Sequence, residues 1–581
     1  MTTLGTAKTF KRDWLDGFAT AYGRQVRKVD DAYGVVATTA PKDDKVAVVI
    51  GGGCGHYPAF AGLVGPGLAD GAVIGDVFTS PSAEQVYRTA KDAHGGAGVL
   101  FGYGNYQGDV LHFGLAARRL AAEGVDSRTI VVTDDVASGP VAQSHTRRGV
   151  AGDFLVFKVA GAAAERGDPL DGVHAAASRA NDNTRTFGAA FDGCTLPGAE
   201  EPLFTVRSDE MELGLGIHGE PGVRTVGRLG ALELADELVD GIVGELADVP
   251  ASSGRVAVLL NGLGRTKYEE MFTTYTRVHE RLSRAGYEPV HTEVGEFVTS
   301  LDMAGVSLSV MVLDDELAEL YAAPCDTPAY RSTGAQYTRT PVVSTSDTTI
   351  EVTTGTEATG PADELLTAGM ATIERNAAEL GRLDAVAADG DHGMGMSRGM
   401  RAAVAAARDV ERAALGDALG AALLAAGTAF ADAAGGASGA LYGVLLAETG
   451  AGIRRGGGAP TATTIADAVA AAAEAFTELG GAQVGDKTML DAIEPFRTTL
   501  RAEATSGASV GHAWCAAARA ATDAATATAE LVPNRGRAAR LAERSAGSPD
   551  PGAVSFALLV TAIAEVLDES NTTRNNGKER N

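Results

Sequence analysis

Lys45-Val-Ala-Val-Val-Ile-Gly-Gly-Gly53 sets the architecture of the first half of this chain. An apolar, β-branched run that ends in glycines predicts a buried strand that enters a turn. Gly98-Val-Leu-Phe101 and Thr129-Ile-Val-Val-Thr133 repeat the pattern, with helical segments between them. Strands that alternate with helices predict a largely parallel sheet, whose ligands usually bind beyond the carboxyl ends of the strands.

The same pattern resumes after a break near residue 180. Pro202-Leu-Phe-Thr-Val206 is one further strand candidate, and Arg255-Val-Ala-Val-Leu-Leu260 is another. We therefore expect two α/β lobes, at about residues 1–180 and 181–335, with a site between them.

The amino-acid composition changes twice in the second half of the chain. Residues 336–361 are rich in Ser and Thr, which predicts a linker. From there alanine dominates and apolar residues follow helical spacing, so residues 362–568 are predicted to form an all-α domain. The polar stretch 569–581 is predicted to be a disordered tail.

Composition limits the function classes. A chain of 581 residues is too long for one core, and its net charge of −26 argues against nucleic acid or an anionic membrane as the main partner. The four cysteines lie far apart and form no CxxC pair, which favours a reducing cytoplasm over a zinc site or a disulfide framework. The N-terminus lacks the apolar core of a signal peptide.

Reactive side chains of the first half stand beside glycines. His218 lies in Glu212-Leu-Gly-Leu-Gly-Ile-His-Gly-Glu-Pro-Gly222, and a neutral imidazole in such a bend is a nucleophile. Gly51-Gly-Gly-Cys-Gly-His56 suits a small-ligand loop, and Asp109 follows a strand end, where it suits a base. The alternatives are a solvated turn histidine and a tight strand–helix turn.

The helical half carries an acidic segment. Asp384-Ala-Val-Ala-Ala-Asp-Gly-Asp-His-Gly393 brings three carboxylates together, as Mg²⁺ and its phosphate partners require. Gly393 excludes an EF-hand, and the alternative is a solvated acidic turn. Gly480-Gly-Ala-Gln-Val-Gly-Asp-Lys-Thr-Met489 fails as a P-loop because Asp486 intrudes and no strand precedes it. Its glycine-rich helix start still suits phosphate.

Together these stretches resemble the dihydroxyacetone kinase family in its single-chain, ATP-dependent form. The resemblance covers nearly the whole chain through eight motifs in the family's order: Gly51-Gly-Gly-Cys-Gly-His-Tyr-Pro58, Gly75-Asp-Val-Phe-Thr-Ser80, Asn105-Tyr-Gln-Gly-Asp109, Gly214-Leu-Gly-Ile-His-Gly-Glu-Pro-Gly222, Asp389-Gly-Asp-His-Gly393, Gly485-Asp-Lys-Thr-Met-Leu-Asp491, Gly536-Arg-Ala538 and Asp550-Pro-Gly-Ala553. It implies a ketose-binding half of two α/β lobes, followed by a nucleotide-binding half that is an antiparallel barrel of helices.

The resemblance also implies roles for individual residues. His218 would bind the substrate carbonyl as a hemiaminal, His56 would assist proton transfer, and Asp109 would take the proton from the hydroxyl that is phosphorylated. The implied ketose pocket contains Gly53, Cys54, Gly55, His56, Ser80, Asp109 and His218. The implied ligands of two Mg²⁺ ions are Asp384, Asp389 and Asp391. The implied ATP site contains His392, Gly393, Met394, Gly395, Ala437, Ser438, Gly480, Thr488, Met489, Arg537, Asp550, Pro551 and Gly552.

A covalent bond suits so small a substrate. Non-covalent contacts give a three- or four-carbon ketose at best about 1.5 kcal/mol per heavy atom, and a bond to its carbonyl adds binding that glycerol cannot receive. The family often has a lysine where this chain has Gly104. We expect the missing side chain to open space, remove a donor and give a tolerance or preference for erythrulose, which is one carbon longer than dihydroxyacetone.

Two rival functions stand beside an ATP-dependent short-ketose kinase. Some relatives are non-catalytic ketose- or nucleotide-binding subunits or co-regulators. In this chain, however, the ketose-binding half and the nucleotide-binding half lie on one polypeptide, and the reactive residues of both halves are present. Others cyclise FAD with the same metal site, and nothing in the sequence excludes that as a side reaction. We expect a cytoplasmic homodimer in which the linker lets the ketose and the nucleotide meet, within one chain or between chains.

Overall fold

A computed structural model describes residues 6–249, 253–335, 360–386, 388–413, 418–533 and 545–578. The chain divides into two compact units, Met1–Pro341 and Val342–Asn581. The predicted linker lies almost wholly outside the described residues.

The first unit contains two six-stranded sheets. The strands of the first sheet are β1 Val26–Lys28, β2 Gly34–Ala37, β3 Ala47–Cys54, β4 Gly71–Val77, β5 Val99–Gly104 and β6 Ser127–Val132. Their order is β1-β2-β4-β3-β5-β6, and β4, β3, β5 and β6 are parallel, as the sequence predicts. The strands of the second sheet are β7 Thr184–Asp192, β8 Glu210–Leu213, β9 Arg224–Gly227, β10 Arg255–Gly262, β11 Glu288–Gly295 and β12 Ala304–Val312.

The second sheet corrects the expectation of a largely parallel architecture. Its order is β11-β10-β12-β7-β8-β9, and only the β10–β11 pair is parallel. Strands β7, β8 and β9 follow one another without an intervening helix, so they pair antiparallel. The candidate strand at Pro202–Val206 is a loop instead, in which the Phe204 ring packs beneath Gly219.

In the described part of this unit, eight α-helices cover the sheets: α1 Phe10–Ala21, α2 Ala83–Ala93, α3 Gln107–Ala122, α4 Gly152–Arg166, α5 Leu170–Asp182, α6 Ala231–Leu246, α7 Tyr268–Arg284 and α8 Asp315–Ala322. A short hairpin of β13 Cys325–Asp326 and β14 Arg331–Ser332 follows them. Helix α4 is buried from Gly152 to Ala164 because it packs against strands of both sheets. Its N-terminal turn therefore lies between the lobes, beside the carboxyl ends of β5 and β6.

The second unit consists of helices over its described residues. They are α9 Pro361–Asp384, α10 His392–Ala413, α11 Leu419–Ala434, α12 Gly436–Gly456, α13 Ala462–Gly480, α14 Leu490–Thr505, α15 Val510–Ala527 and α16 Pro551–Lys578. Each helix packs against the next, and α16 packs back on α9, so the eight helices close into a barrel. This confirms the predicted fold class of two α/β lobes followed by an all-α unit.

Helix α16 is relevant to two questions, whether the chain has a segment that could span a membrane and where the C-terminal tail begins. Its window Pro551–Asp568 is the one described segment long and apolar enough to span a membrane by length and composition alone. Phe556, Ala557 and Val560 of that window belong to the core of the helical unit. The helix continues to Lys578, into the stretch for which the sequence predicts a disordered tail.

Candidate functional site

A cavity of about 260 Å³ lies in the first unit at the carboxyl ends of β3 and β5. We call it the histidine cavity. Five of the seven predicted pocket residues line it: Gly53, His56, Ser80, Asp109 and His218. The location agrees with the rule that open α/β sheets bind ligands beyond their strand ends.

His56 and His218 face each other in this cavity. Their Nε2 atoms are 3.0 Å apart. His56 Nδ1 lies 2.7 Å from the carbonyl oxygen of Thr299, which only accepts, so Nδ1 of His56 donates. Burial, helped by the charge of His218, lowers the pKa of His56 to about 3, so the ring is neutral and its Nε2 is an acceptor.

Glu220 fixes the second histidine. Its Oε1 lies 3.1 Å from Nδ1 of His218, and its Oε2 accepts the backbone N–H of His218 at 2.9 Å. Burial would raise the pKa of Glu220, but the hydrogen bond and charge of His218 lower it to about 2. The Glu220 carboxylate presents an acceptor to Nδ1 of His218, and neutral His56 presents an acceptor nitrogen to Nε2 of His218.

Aromatic rings hold both imidazoles in place. Phe78 stacks on His56 with 5.0 Å between ring centroids. Phe78 and Tyr106 meet His218 edge-on, at 5.1 and 4.7 Å. These contacts leave the His218 ring little rotational freedom, so the direction in which its Nε2 points is fixed by packing.

Asp109 brings a carboxyl group to the same cavity. It stands in the first turn of α3 with 6% of its surface exposed, and its Oδ1 has no hydrogen-bond partner. Burial raises its pKa to about 6, against smaller lowering effects of the Ser80 hydroxyl and His218. A buried carboxyl with a raised pKa and an unused oxygen suits a general base.

The glycines of β3 form a wall of the cavity. Strand β3 continues through Gly51–Gly53 to Cys54, so the turn predicted at these glycines is wrong. A Cβ on Gly53 would lie 2.6 Å from the Thr79 backbone nitrogen, which explains why only glycine fits there.

Two predicted pocket residues do not line the cavity. The Cys54 side chain faces the hydrophobic core, where burial raises the pKa of its thiol to about 11. Gly55 has φ +106°, and the Phe78 ring occupies the place that its side chain would take.

Gly104 does not open space as the sequence predicts. A Cβ there would lie 3.1 Å from the Gly149 carbonyl oxygen and 3.2 Å from the Tyr106 ring. The two glycines pack backbone against backbone, which closes this side of the cavity.

The helical unit has a second cavity, of about 570 Å³. Connections after α9, α11, α13 and α15 share one end of an up-and-down barrel, and each of them contributes to the lining. Nine predicted nucleotide-site residues line it: His392, Ala437, Ser438, Gly480, Thr488, Met489, Asp550, Pro551 and Gly552.

Three other predicted nucleotide contacts lie away from this cavity. Gly393 packs against the Ala377 carbonyl of α9, Met394 is 62% exposed, and Gly395 also lies outside the lining. Arg537 lies outside the described residues.

The three predicted metal ligands come together. One carboxylate oxygen from each of Asp384, Asp389 and Asp391 lies within 4.8 Å of the others, at the rim of the second cavity. Asp384 Oδ2 also accepts the Gly390 N–H at 2.9 Å, which shapes the loop. A cluster of hard carboxylate oxygens beside a phosphate-sized cavity fits Mg²⁺.

Neighbouring polar groups are oriented by hydrogen bonds. His392 Nε2 lies 2.9 Å from the Ser555 hydroxyl, and its Nδ1 lies 3.3 Å from Ser438. Burial lowers the pKa of His392, although Asp384 and Asp391 oppose the shift. Burial, with a contribution from nearby Asp491, raises the pKa of Asp550 to about 7, while Asp550 Oδ1 accepts the Ala553 N–H.

Sequence reasoning missed several lining residues. Tyr106 and Asp153 line the histidine cavity, and Lys487 lines the second cavity, in the helical unit. Lys487 has φ +59° and donates from Nζ to the Ser545 and Leu531 carbonyls. Its place inside the near-match to a P-loop was the available signal. For Asp153 there was none, because only the packing of α4 between the sheets brings it there.

Comparisons with known proteins match both units of the chain. The Dak1 domain model matches residues 16–329, and the DAK2 domain model matches residues 386–565. An L-erythrulose 1-kinase of Mycolicibacterium smegmatis is 52% identical over 92% of this chain and 94% of its own length. A D-erythrulose kinase of the same organism is 50% identical over 97% of this chain and 98% of its own length.

A solved structure matches over the same extent. The dihydroxyacetone kinase of C. freundii in complex with AMP-PNP and Mg²⁺ has a TM-score of 0.59 at 28% identity. The match covers 97% of this chain and 99% of that one.

Proposed function

Because this chain belongs to the dihydroxyacetone kinase family, with a Dak1 and a DAK2 domain in one polypeptide, we propose that it phosphorylates a terminal hydroxyl of erythrulose or dihydroxyacetone through a hemiaminal on His218. It is an ATP-dependent kinase of short-chain ketoses that uses Mg²⁺. One observation carries the covalent step: His218 Nε2 lies 3.0 Å from an acceptor nitrogen of His56, while Glu220 holds its other nitrogen.

The covalent step follows from these contacts. His218 gives its Nε2 proton to His56 Nε2, and the freed lone pair attacks the carbonyl carbon. The C=O π electrons move to oxygen, which then takes the proton from His56. The product is an N-substituted imidazolium whose Nδ1–H still faces the Glu220 carboxylate, so charge is conserved.

Asp109 acts on the hydroxyl that becomes phosphorylated. Its unpartnered Oδ1 accepts the hydroxyl proton as that oxygen attacks the γ-phosphorus of ATP. A ketose bound to His218 presents this hydroxyl in one fixed orientation, so the attack becomes close to an intramolecular reaction. Glycerol has no carbonyl and lacks this fixation.

The helical unit holds the nucleotide. The phosphates are assigned to the helix starts at Ser438 and Gly552 and to the loop around Thr488, all of which line the cavity. Asp384, Asp389 and Asp391 would hold Mg²⁺, which neutralises phosphate charge when it is bound.

We also propose which segment of the chain carries each function. We assign ketose binding to residues 1–335, nucleotide binding to 362–568 and the connection to 336–361. A cytoplasmic homodimer is proposed from the family resemblance, and four free cysteines support a reducing compartment. Light scattering of the purified chain gives the oligomeric state directly.

The test is a substrate screen with ATP and Mg²⁺ over dihydroxyacetone, both erythrulose enantiomers and glycerol. We expect ADP and a terminal ketose phosphate from at least one ketose and no turnover of glycerol. His218→Ala should lose ketose turnover, and His145→Ala, an exposed histidine of the same unit, should retain it. Equal turnover of glycerol would contradict the covalent role, and no turnover of any ketose would contradict the function itself.

A further inference from the structure

Three buried polar atoms without a hydrogen-bond partner belong to residues that line the histidine cavity. Within the part of the chain that the structure describes, they are Tyr106 OH, Asp109 Oδ1 and Asp153 Oδ1. Asp109 is used by the proposed reaction, and the other two are not. A buried polar atom without a partner is costly, so two such atoms on residues that line one small cavity suit a ligand that satisfies them.

The fold holds Asp153 and Tyr106 firmly. Asp153 lies in the first turn of α4 with 3% of its surface exposed. Tyr106 lies at the N-terminus of α3, and its ring packs edge-on against His218, so its hydroxyl cannot turn away without losing that contact. Both residues line the cavity together with Gly104 and Gly149, the two glycines that pack backbone against backbone.

The charges around Asp153 make it a neutral acid. Burial raises its pKa well above the usual range, and the like charges of Asp134 and Asp109 act in the same direction. The helix N-terminus opposes this, but Asp134 already accepts the N–H groups of Val150 and Gly152 there. A protonated carboxyl and a phenol can each donate and accept, which is what sugar hydroxyls require.

We infer that Tyr106 and Asp153 form a hydroxyl subsite that binds the far end of a four-carbon ketose. The inference rests on the proposed function. With the carbonyl at His218 and the reacting C1 hydroxyl at Asp109, erythrulose has two hydroxyls beyond its carbonyl, whereas dihydroxyacetone has one. Both groups bind the C4 hydroxyl, which erythrulose has and dihydroxyacetone lacks, because a hydroxyl donates one hydrogen bond and accepts another. The subsite therefore favours erythrulose over dihydroxyacetone by leaving a buried group unpaired when the shorter ketose binds.

The experiment compares kcat/KM for dihydroxyacetone and for the preferred erythrulose enantiomer in four proteins: wild type, Tyr106→Phe, Asp153→Ala and Asp153→Asn. In Asp153→Ala the erythrulose value should fall at least about tenfold further than the dihydroxyacetone value, because the lost hydrogen bond serves only the longer substrate. Tyr106→Phe, which keeps the ring on His218, should shift the ratio about threefold or more in the same direction. Asp153→Asn keeps a donor and an acceptor and should stay within about threefold of the wild-type ratio.

The outcomes separate the subsite from the function. Equal losses on both substrates, or an unchanged ratio in Tyr106→Phe, would overturn the subsite, because groups that serve only the fold or bound water do not discriminate. A wild type that phosphorylates dihydroxyacetone and neither erythrulose enantiomer would also overturn it and leave the proposed function standing. A wild type that phosphorylates no ketose refutes the proposed function instead.

Discussion

Glu220 is the residue that separates His218 from an ordinary turn histidine. It accepts from both the backbone N–H and Nδ1 of His218, and its negative charge faces the imidazolium that the hemiaminal requires. Most of its surface is hidden from solvent, so the charge is poorly screened.

Glu220→Gln tests this electrostatic role. The amide oxygen still accepts from Nδ1, while the NH2 group takes the place of Oε2, so the variant loses the balancing charge and the hydrogen bond from the His218 backbone N–H. We expect kcat/KM for the ketose to fall about 100-fold or more, with ATP affinity unchanged. Steady-state kinetics and nucleotide titration measure the two effects. Full activity in this variant would mean that the charge of Glu220 plays no part.

Asp109 predicts a pH dependence. Its pKa is raised to about 6, and a base acts only when it is ionised, so kcat/KM should be maximal above pH 6 and fall about tenfold per unit below it. His56, with a pKa of about 3, contributes no limb in this range. The profile should show one acidic limb near pH 6, and Asp109→Asn should lose both that limb and most of the rate. A limb near pH 4 would contradict the assignment.

The residues that carry reactive groups could be found from sequence, and those that complete the cavity could not. His56, His218 and Asp109 stand in glycine-rich motifs, which draw attention to them. Tyr106 stands in the same motif as Asp109 but was not assigned to the pocket, and Asp153 reaches the cavity only through the packing of α4, which no spacing records. Gly104 was interpreted as open space because the sequence does not reveal that Gly149 lies against it.

At the scale of elements, strand β3 is where glycine is indispensable. Gly53→Ala would put a Cβ 2.6 Å from the Thr79 nitrogen and force β3 away from the loop after β4. We expect a loss of about 1–3 kcal/mol in the free energy of unfolding and at least a tenfold rise in ketose KM. Denaturant unfolding and steady-state kinetics check both.

Gly114→Ala is the matched control. A Cβ on Gly114 has open space, and in the middle of α3 alanine should stabilise by about 0.5–1 kcal/mol. Equal behaviour of the two variants would show that the close approach at Gly53 is unimportant.

The loop between α9 and α10 predicts a metal requirement. Asp389→Asn removes one carboxylate of the cluster, so Mg²⁺-dependent ATP affinity should weaken at least about tenfold while ketose binding persists. Titration with ATP at several Mg²⁺ concentrations measures it. Asp523→Asn, an exposed carboxylate of α15, should bind normally. Weakening that is the same with and without Mg²⁺ would contradict a metal role.

Element types were easier to predict than strand pairing. Helical periodicity identified the second unit because alanine-rich amphipathic helices leave a strong signal. The antiparallel second sheet escaped notice, since a buried strand such as β10 reads the same whatever the direction of its partners. The glycines of β3 were assigned to a turn because hydrogen bonding with β4, which keeps them extended, is a tertiary effect.

At the scale of the molecule, each unit has its own hydrophobic core and contains one of the two cavities described above. Ligand protection should follow this division. A ketose alone should slow amide hydrogen exchange in peptides from β3 and the His218 loop, and an ATP analogue with Mg²⁺ should slow it around residues 384–392 and 550–552. Exchange measured by mass spectrometry checks this, with His218→Ala expected to lose only the first pattern. Protection of the helical unit by ketose alone would contradict separate binding functions.

The central claim is that His218 forms a bond to the ketose carbonyl carbon. Carbon NMR of dihydroxyacetone labelled at C2, mixed with excess enzyme, observes that atom directly. The account predicts that the signal moves from the carbonyl region to that of a tetrahedral carbon bearing nitrogen and oxygen, and that His218→Ala leaves it in place. A bound ligand whose C2 stays trigonal in the wild-type enzyme would contradict the covalent mechanism.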